Sequence, residues 1–350
     1  RDPTPAGIDG CMIKRIYKIA AGIIAVLSIL LMLSIYLLYQ DYLMFLSSPV
    51  NSNQYPLRIQ VKAGTSFSHL AEGLVNRKLV ANKYYLKWYA RSENLAQKIK
   101  AGRYAFHEPV TPVELLAKIV AGDVEQFALT IVEGWAFKEM MSTIAAHPQI
   151  AHQLDGLSDA EIMQALALPG VHPEGQFMPD TYHFPEATSD LEFLRRAHKS
   201  MQDYLQEKWE LRDKNLPLKT PYEALILASI VEKETGQADE RPQIAGVFVR
   251  RLHKGMKLQT DPTVIYGMGE NFDGNIRRKD LRTDTPYNTY TRAGLPPTPI
   301  ALPGKAAIDA VLHPATGTSL YFVAKGDGSH QFSDTLEAHN RAVRKYQLGK

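Results

Sequence analysis

The stretch TPYEALILASIVEKETG, Thr220–Gly236, carries a strong helix signal and ends in two glutamates. Its first four residues match a capping box with proline at the first helical position, and Gly236 is typical of the C′ position. The pattern therefore predicts a helix over residues 221–235. Spacings of three and four place its apolar residues on one face, namely Ile226, Leu227, Ile230 and Val231.

The two glutamates of this helix are not equivalent. Glu234 continues the apolar face, whereas Glu232 lies about 200° away around the helix axis and is expected to be a solvated charge. Burial and the negative end of the helix dipole both disfavour a charged Glu234, so its pKa is expected to be raised. A partly protonated carboxyl is what a general acid requires. An ion pair with Arg250 or Arg251 is the alternative, and the helix alone does not decide between them.

Three loops combine aromatic rings with amide, hydroxyl and carboxyl groups, a mixture suited to sugar rings. They are LQTDPTVIYGMG at residues 258–269, TPYNTYTRAGLPPTPIALPG at residues 285–304 and GQFMPDTYHFP at residues 175–185. Asp261 precedes a proline and is also expected to cap a helix. The candidates for substrate binding are Gln259, Asp261, Tyr266, Tyr287, Asn288, Tyr290, Phe177 and Asp180.

Composition and motifs exclude several classes of protein. The chain has 350 residues, enough for two compact units plus tails, and its net charge of +3 is too balanced to indicate nucleic-acid binding. Cys11 is the single cysteine, so an intramolecular disulfide is impossible. The histidines lack the spacing of a metal site, and neither a G-x-S-x-G elbow nor a phosphate-binding loop occurs. The sequence therefore predicts no metal and no cofactor.

An uncharged segment near the N-terminus predicts a single transmembrane helix. Residues 19–39, IAAGIIAVLSILLMLSIYLLY, would span roughly 31 Å as a helix, enough to cross a bilayer core. Basic residues precede the segment and Asp41 follows it, which predicts a cytoplasmic tail at residues 1–18 and an extracytoplasmic remainder. A cleaved signal peptide is the alternative. Residues 1–11 are expected to be a leader or cloning remnant.

The rest of the chain predicts an α+β protein with two folded parts. After a linker at residues 40–56, residues 57–127 alternate short strands and helices. Within them, VKAGTSFSHLAEGLVNRKLV at residues 61–80 resembles the LysM-like repeat that binds glycans. Residues 128–350 form a larger unit with several helices and a late strand pair, and their order is mixed rather than alternating βαβ.

Seven motifs together resemble the membrane-anchored endolytic murein transglycosylases, the MltG/YceG-like family. In chain order they are ASIVEKETG, RRLHKGMKLQTDPTVIYGMG, YNTY, GLPPTPIALPG, HPA, YFV and HQF. The resemblance covers nearly everything after Met12. One departure is PPTPIA at residues 296–301, where relatives often carry glycine after the two prolines. The resemblance implies a single-pass anchor in the bacterial inner membrane, a LysM-like subdomain and a periplasmic YceG-like catalytic domain.

The resemblance also implies the reaction and the partners. Peptidoglycan strands would be cleaved between N-acetylmuramic acid and N-acetylglucosamine without water, leaving a 1,6-anhydro end. The family's glutamate lies in the E-K-E segment, and Glu234 is the expected acid and then base. Gln259, Tyr287 and Asn288 are candidates to stabilise the oxocarbenium-like transition state, and the substrate's own N-acetyl oxygen is the alternative. Synthases of the elongation machinery are the implied protein partners. A hydrolytic muramidase, with Asp261 or Asp180 as second acid, and a non-catalytic wall-binding scaffold are the alternatives.

Overall fold

A computed structural model describes residues 10–349, and side chains from Lys14 onward; residues 1–9 of the expected leader lie outside the described part. Helix α1 runs over Gly10–Ser47. Its segment Lys14–Ser47 is long and apolar enough, by length and composition, to cross a membrane. The helix continues eight residues into the predicted linker, because the first residue that disfavours helix there is Pro49.

The chain divides into two compact units after Glu125. The elements that follow α1 in the first unit are β1 (Leu57–Val61), α2 (Phe67–Asn76), α3 (Lys83–Ser92), β2 (Gly102–Phe106) and α4 (Pro112–Ala121). Strands β1 and β2 pair antiparallel, with the alternating apolar residues of β1 buried. This β-α-α-β order is consistent with the LysM-like pattern in the sequence. A capping box starts α4, since the side chains of Thr111 and Glu114 each accept the other residue's backbone N–H.

The second unit is mainly helical. The residues that the structure describes contain four pairs of short strands, and three of these pairs, β3–β5, β4–β6 and β7–β8, lie in the second unit. Its elements are β3 (Gln126–Thr130), α5 (Phe137–Ala145), β4 (Ile150–Ala151), α6 (Asp159–Ala165), β5 (Thr181–Pro185), β6 (Thr188–Ser189), α7 (Asp190–Leu211), α8 (Pro221–Glu234), α9 (Arg241–His253), α10 (Asp261–Met268), α11 (Arg278–Arg282), α12 (Lys305–Leu312), β7 (Tyr321–Ala324), β8 (His330–Ser333) and α13 (Leu336–Tyr346). Helices and strands are mixed rather than alternating, so the α+β prediction is confirmed.

Helix α8 is the centre of the second unit and positions the site. Every residue from Ala224 to Val231 is buried, and the helix packs against α7, α9, α10 and α12. The Thr220 hydroxyl accepts the Glu223 N–H as the cap requires. Gly236 follows the C-cap residue Thr235, as predicted for the C′ position, but it does not adopt a left-handed φ. The helix ends at Glu234, one residue earlier than predicted, because Thr235 is already extended with φ −147°. Glu234 is therefore the last helical residue.

Candidate active site

A groove with a volume of about 520 Å³ opens at the C-terminal end of α8. One wall is the end of α8 and the loop that leads into α10. The other wall comes from the β7–β8 hairpin and α13, which follow much later in the chain. The side chains that line it are Glu234, Arg251, Leu258, Gln259, Thr260, Asp261, Tyr290, Tyr321, Phe322, Val323, Ala324, His330, Leu336, His339, Asn340, Val343 and Gln347.

Glu234 is half-buried in this groove and is held by Thr260. The Thr260 hydroxyl donates a hydrogen bond to Oε1 of Glu234. Burial is the main influence on this carboxyl and raises its pKa to about 7; the Thr260 hydroxyl opposes the rise and the nearby Asp261 charge adds to it. A carboxyl with a pKa near 7 holds a proton in a large share of molecules at neutral pH, as a general acid requires.

Glu232 is a structural residue, so the expectation of a solvated charge is wrong. Its side chain is only 6% exposed and lies 3.2 Å from the Arg241 guanidinium. Its other oxygen accepts the Gly304 N–H at 2.9 Å. The expectation failed because α8 is buried around nearly its whole circumference, so the side opposite the apolar face meets protein rather than water.

The arginines that could have paired with Glu234 are occupied elsewhere. Arg250 donates to the Ser319 and Ala315 carbonyls, at 2.8 and 3.0 Å. Arg251 lines the groove, but its guanidinium donates to the Leu320 and Leu258 carbonyls, at 2.7 and 2.8 Å. Arg251 thus contributes positive charge at a distance rather than a direct ion pair with Glu234.

Three of the predicted substrate-binding residues line the groove: Gln259 just before α10, Asp261 at the start of α10, and Tyr290 in the loop between α11 and α12. The Tyr290 hydroxyl donates to the Asp261 carboxylate at 2.6 Å. Asp261 is the first helical residue and Thr260 occupies the N-cap position, so the predicted capping role of Asp261 is wrong. Gln259 adopts a left-handed φ of 51°, which turns the chain sharply in front of Thr260.

Two other predicted substrate-binding residues are buried inside the unit. Phe177 is fully buried and packs on Phe137, with ring centroids 5.5 Å apart. Asn288 is also fully buried, and its amide donates to three backbone carbonyls, the shortest at 2.7 Å to Thr283. Neither side chain can contact a glycan in this structure. Asn288 instead shapes the loop that carries Tyr290, whose N–H it accepts at 2.9 Å.

The remaining predicted residues lie outside the groove lining. Tyr266 packs edge-on against Tyr287, with ring centroids 4.9 Å apart. The Tyr287 hydroxyl bonds the Thr298 hydroxyl at 2.9 Å, and Tyr266 donates to Glu174. Asp180 is exposed, with Lys305 3.8 Å away. Loop composition identified these polar groups but could not tell which side of each loop they face.

The sequence predicted no site residue in the groove wall that β7, β8 and α13 form. His330 bonds Glu240 through both its backbone N–H, at 2.9 Å, and Nδ1, at 2.6 Å. His339 stacks on Tyr321, with ring centroids 5.3 Å apart. In the sequence, these histidines were considered only as possible metal ligands. The YFV and HQF motifs, which contain Tyr321 and His330, could have indicated that this segment belongs to the site.

A second carboxyl with a raised pKa lies elsewhere in the unit. Glu174 is 4% exposed and burial raises its pKa to about 7. It accepts the Phe137 N–H at 2.9 Å, at the start of α5, and the Tyr266 hydroxyl at 3.2 Å. These partners identify it as a buried structural carboxyl that holds α5 and α10 together.

Comparison with known proteins decides the family. The model of the YceG-like family matches residues 59–345, most of both compact units. The chain belongs to the YceG-like family. The match includes α8, the loop before α10 and the β7–β8 hairpin, so it covers all of the groove lining except Gln347.

Relatives of this YceG-like chain include named enzymes. A protein of Bacillus subtilis (strain 168) named endolytic murein transglycosylase is 31% identical over 313 residues, covering 84% of this chain and 86% of that protein. A Streptococcus pneumoniae protein (strain D39) of the same name is 27% identical, and the matched region spans 60% of its length. A crystal structure of a yceG-like protein from Listeria monocytogenes aligns with a TM-score of 0.51 at 30% identity, over 81% of this chain and 98% of that one.

Proposed function

We propose that this YceG-like chain is a peptidoglycan lytic transglycosylase that cuts glycan strands internally and leaves 1,6-anhydro ends. The observation that carries the proposal is the half-buried carboxyl of Glu234, with a pKa raised to about 7, at the wall of an open groove. The B. subtilis relative named endolytic murein transglycosylase supports the substrate class.

One carboxyl can serve twice in this reaction. Protonated Glu234 donates its proton to the glycosidic oxygen as the bond from C1 of the N-acetylmuramic acid to that oxygen breaks. The C6 hydroxyl of the same sugar then attacks C1, and the Glu234 carboxylate accepts its proton. The net change moves one proton between oxygens and exchanges one C–O bond for another, so water is not consumed. This differs from ordinary glycosidases, which need two carboxylates.

Groups along the groove are proposed to support this acid. Gln259 is the one earlier candidate for transition-state stabilisation that lines the groove, and its amide can bond a sugar hydroxyl or N-acetyl group. Thr260 holds the carboxyl in one orientation. Tyr290 and Tyr321 offer ring faces to the sugars, and the positive charge of Arg251 favours the carboxylate that forms when the proton leaves.

A hydrolytic reaction would need a second carboxylate near Glu234. Asp261 is the candidate for this role, because it lines the same groove as Glu234. In a muramidase it would activate a water molecule or attack the sugar directly. The Tyr290 hydroxyl already bonds it, and we propose that its role is to raise the pKa of Glu234 rather than to act on water. Asp180 lies outside the groove lining and is not proposed as a second acid.

Mass spectrometry of the product tests the function. Purified glycan strands incubated with the chain should yield ends about one water, or about 18 Da, lighter than reducing ends, since water does not attack. Glu234→Gln should abolish these products while the protein stays folded. Products with reducing ends would instead identify a muramidase. Cleavage by Glu234→Gln at the rate of the unchanged chain would contradict the assignment and favour a wall-binding scaffold.

We further propose that α1 anchors the chain once in the bacterial inner membrane, with the elements that follow α1 in both compact units on the outer, periplasmic side. The apolar length of α1 supports a single crossing of the membrane. The basic residues before residue 19 support the orientation. Peptidoglycan synthases of the elongation machinery are proposed as partners because an internal cutter of strands would act where strands are made. Protease added to spheroplasts should degrade both units; full protection of the second unit would overturn this orientation.

We propose that the first unit binds glycan, because its β-α-α-β order is consistent with a LysM-like repeat. Hydrogen exchange in the Glu234→Gln chain, with and without glycan strands, tests it. Slower exchange in α2 and α3 as well as in the groove is expected. Slower exchange at the groove alone would restrict glycan binding to the second unit.

A further inference from the structure

Helix α3 presents an exposed aromatic and basic face beside the membrane-anchoring helix. Trp88 is 53% exposed and Tyr84 is 70% exposed, and the two are four residues apart. Arg91 lies on the same face, three residues beyond Trp88. The opposite face of the helix is the one that packs, with Leu86 and Ala90 fully buried. Large aromatic residues rarely face water together on a short helix without a partner.

The height of this face along α1 is fixed by direct contacts within the first unit. Trp88 packs on Tyr42 with ring centroids 4.4 Å apart. Tyr85 packs on Tyr42 and Phe45, both at 5.6 Å, and its hydroxyl donates to Asp41 at 2.8 Å. Helix α3 is therefore held against α1 at the level of residues 41–45.

That level corresponds to the headgroup region of a bilayer. Tyr42 is three residues past the end of the uncharged segment at Tyr39, which is about 4.5 Å along a helix axis. The headgroup layer beyond the hydrocarbon core is roughly 5–8 Å thick on each side. Tryptophan and tyrosine are enriched in this layer, because their rings are apolar and their N–H or O–H groups need polar partners.

The charge of α3 fits an anionic lipid surface. The helix carries Lys83, Lys87 and Arg91 and no acidic residue. Glu72 of α2 lies within 3.6 Å of both lysines and offsets part of this charge, whereas Arg91 is exposed beside the aromatic pair. Basic residues near the surface of an anionic membrane are attracted to it over about a Debye length.

We propose that the face formed by Tyr84, Trp88 and Arg91 lies in the headgroup layer of the membrane that α1 enters and binds anionic phospholipid. This rests on the proposed anchoring by α1 and adds a second membrane contact, one that fixes how the first unit sits on the bilayer. An anchor alone would let α1 and the elements packed on it tilt together in the bilayer, whereas a second contact limits this tilt.

Depth-dependent quenching of Trp88 in vesicles tests the proposal with the full chain. Vesicles of phosphatidylcholine and phosphatidylglycerol carry bromine either near the headgroup or near the end of the acyl chain. The chain has three tryptophans, so the signal of Trp88 is the difference between the unchanged chain and Trp88→Phe. Bromine near the headgroup should quench this signal severalfold more strongly than bromine near the chain end.

The controls separate this contact from the anchor and from catalysis. Flotation of both proteins with the vesicles reports insertion of α1. If the protein floats with the vesicles but bromine at neither position quenches Trp88, the proposal is wrong. Stronger quenching by bromine near the acyl-chain ends would also overturn it. Equal quenching in pure phosphatidylcholine would exclude anionic lipid as the partner. Glycan cleavage by the same preparations tests the proposed enzyme independently, since the groove is not altered.

Discussion

The Thr260 hydroxyl donates a hydrogen bond to the Glu234 carboxylate, and so joins the last residue of α8 to the first turn of α10. Thr260 is itself fixed, because its N–H donates to the Thr289 hydroxyl at 3.1 Å and its carbonyl accepts the Thr263 hydroxyl at 2.8 Å. The acid is thus oriented by a rigid neighbour. The same bond favours the charged carboxylate and opposes the rise in pKa that burial causes.

Thr260→Val should shift the pH dependence of cleavage upward. Without the hydroxyl donor the Glu234 carboxylate loses a hydrogen bond worth about 1.5 kcal/mol, so its pKa should rise by about one pH unit. A general acid acts while protonated, so the rate falls as pH rises through this pKa, and the high-pH limb of kcat/KM should move by the same amount. Thr260→Ser retains the donor and should leave the limb in place. An unmoved limb in the valine variant would exclude Glu234 as the group that the limb reports.

Asp261→Asn should shift the same limb in the opposite direction. Its negative charge raises the pKa of Glu234, so removing that charge lowers this pKa and brings the fall in rate to lower pH. The asparagine carbonyl can still accept the Tyr290 hydroxyl, which keeps the loop in place. Anhydro ends should persist. Loss of all cleavage at every pH in a folded variant would instead favour Asp261 as the second acid of a muramidase.

The sequence predicted the helix that carries the site and the burial of its last glutamate, because both follow from local spacing and capping. It did not predict the burial of Glu232, because periodicity describes one face of a helix while the number of packed faces depends on α7, α9, α10 and α12. The ion pair with Arg241 depends on the same packing. A helix at the centre of a unit leaves few positions for a solvated charge.

Loop composition was a weaker guide than helix spacing. Asn288 and Tyr290 are two residues apart and chemically similar as candidates, yet one is a buried support and the other lines the groove. The far wall is formed by residues between Tyr321 and Gln347, which follow Glu234 by 87 to 113 positions in the sequence. Local patterns carry no information about such distant contacts. The family motifs named these segments without indicating which side chains face the acid.

The stability that Glu174 and Glu234 contribute should fall as pH rises from about 4.3 to about 7. Glu174 and Glu234 each have a pKa raised to about 7 in the folded state, above the ordinary value. The folded chain therefore binds more protons than the unfolded chain between these values, and the stability present below about pH 4.3 is lost as pH rises to about 7. Glu174→Gln and Glu234→Gln should each flatten part of this dependence, by at most about 4 kcal/mol. Urea denaturation at a series of pH values measures it.

Kinetics separate the two buried carboxyls. Glu174 bonds α5 and α10 outside the groove lining, so Glu174→Gln should change the free energy of unfolding without moving the pH limb of cleavage. A limb that moves with Glu174→Gln by as much as with Asp261→Asn would place Glu174 in contact with the reacting groups and contradict its structural role.

Glu232→Gln and Glu234→Gln should fail in different ways, although the two residues lie in one helical turn. Glu232→Gln removes the nearer charge partner of the Arg241 guanidinium and leaves it only Glu133, 3.9 Å away, so the loss of stability should be at most about 3 kcal/mol. Cleavage per folded molecule should be nearly unchanged, because Glu232 does not line the groove. Glu234→Gln should keep the fold and lose cleavage by at least about a hundredfold, the usual contribution of a general acid. Thermal denaturation compares the stability of the two variants. Glycan cleavage, measured at a temperature where both variants are folded, compares their activity. Normal cleavage by Glu234→Gln with an inactive, folded Glu232→Gln would transfer the catalytic role to Glu232.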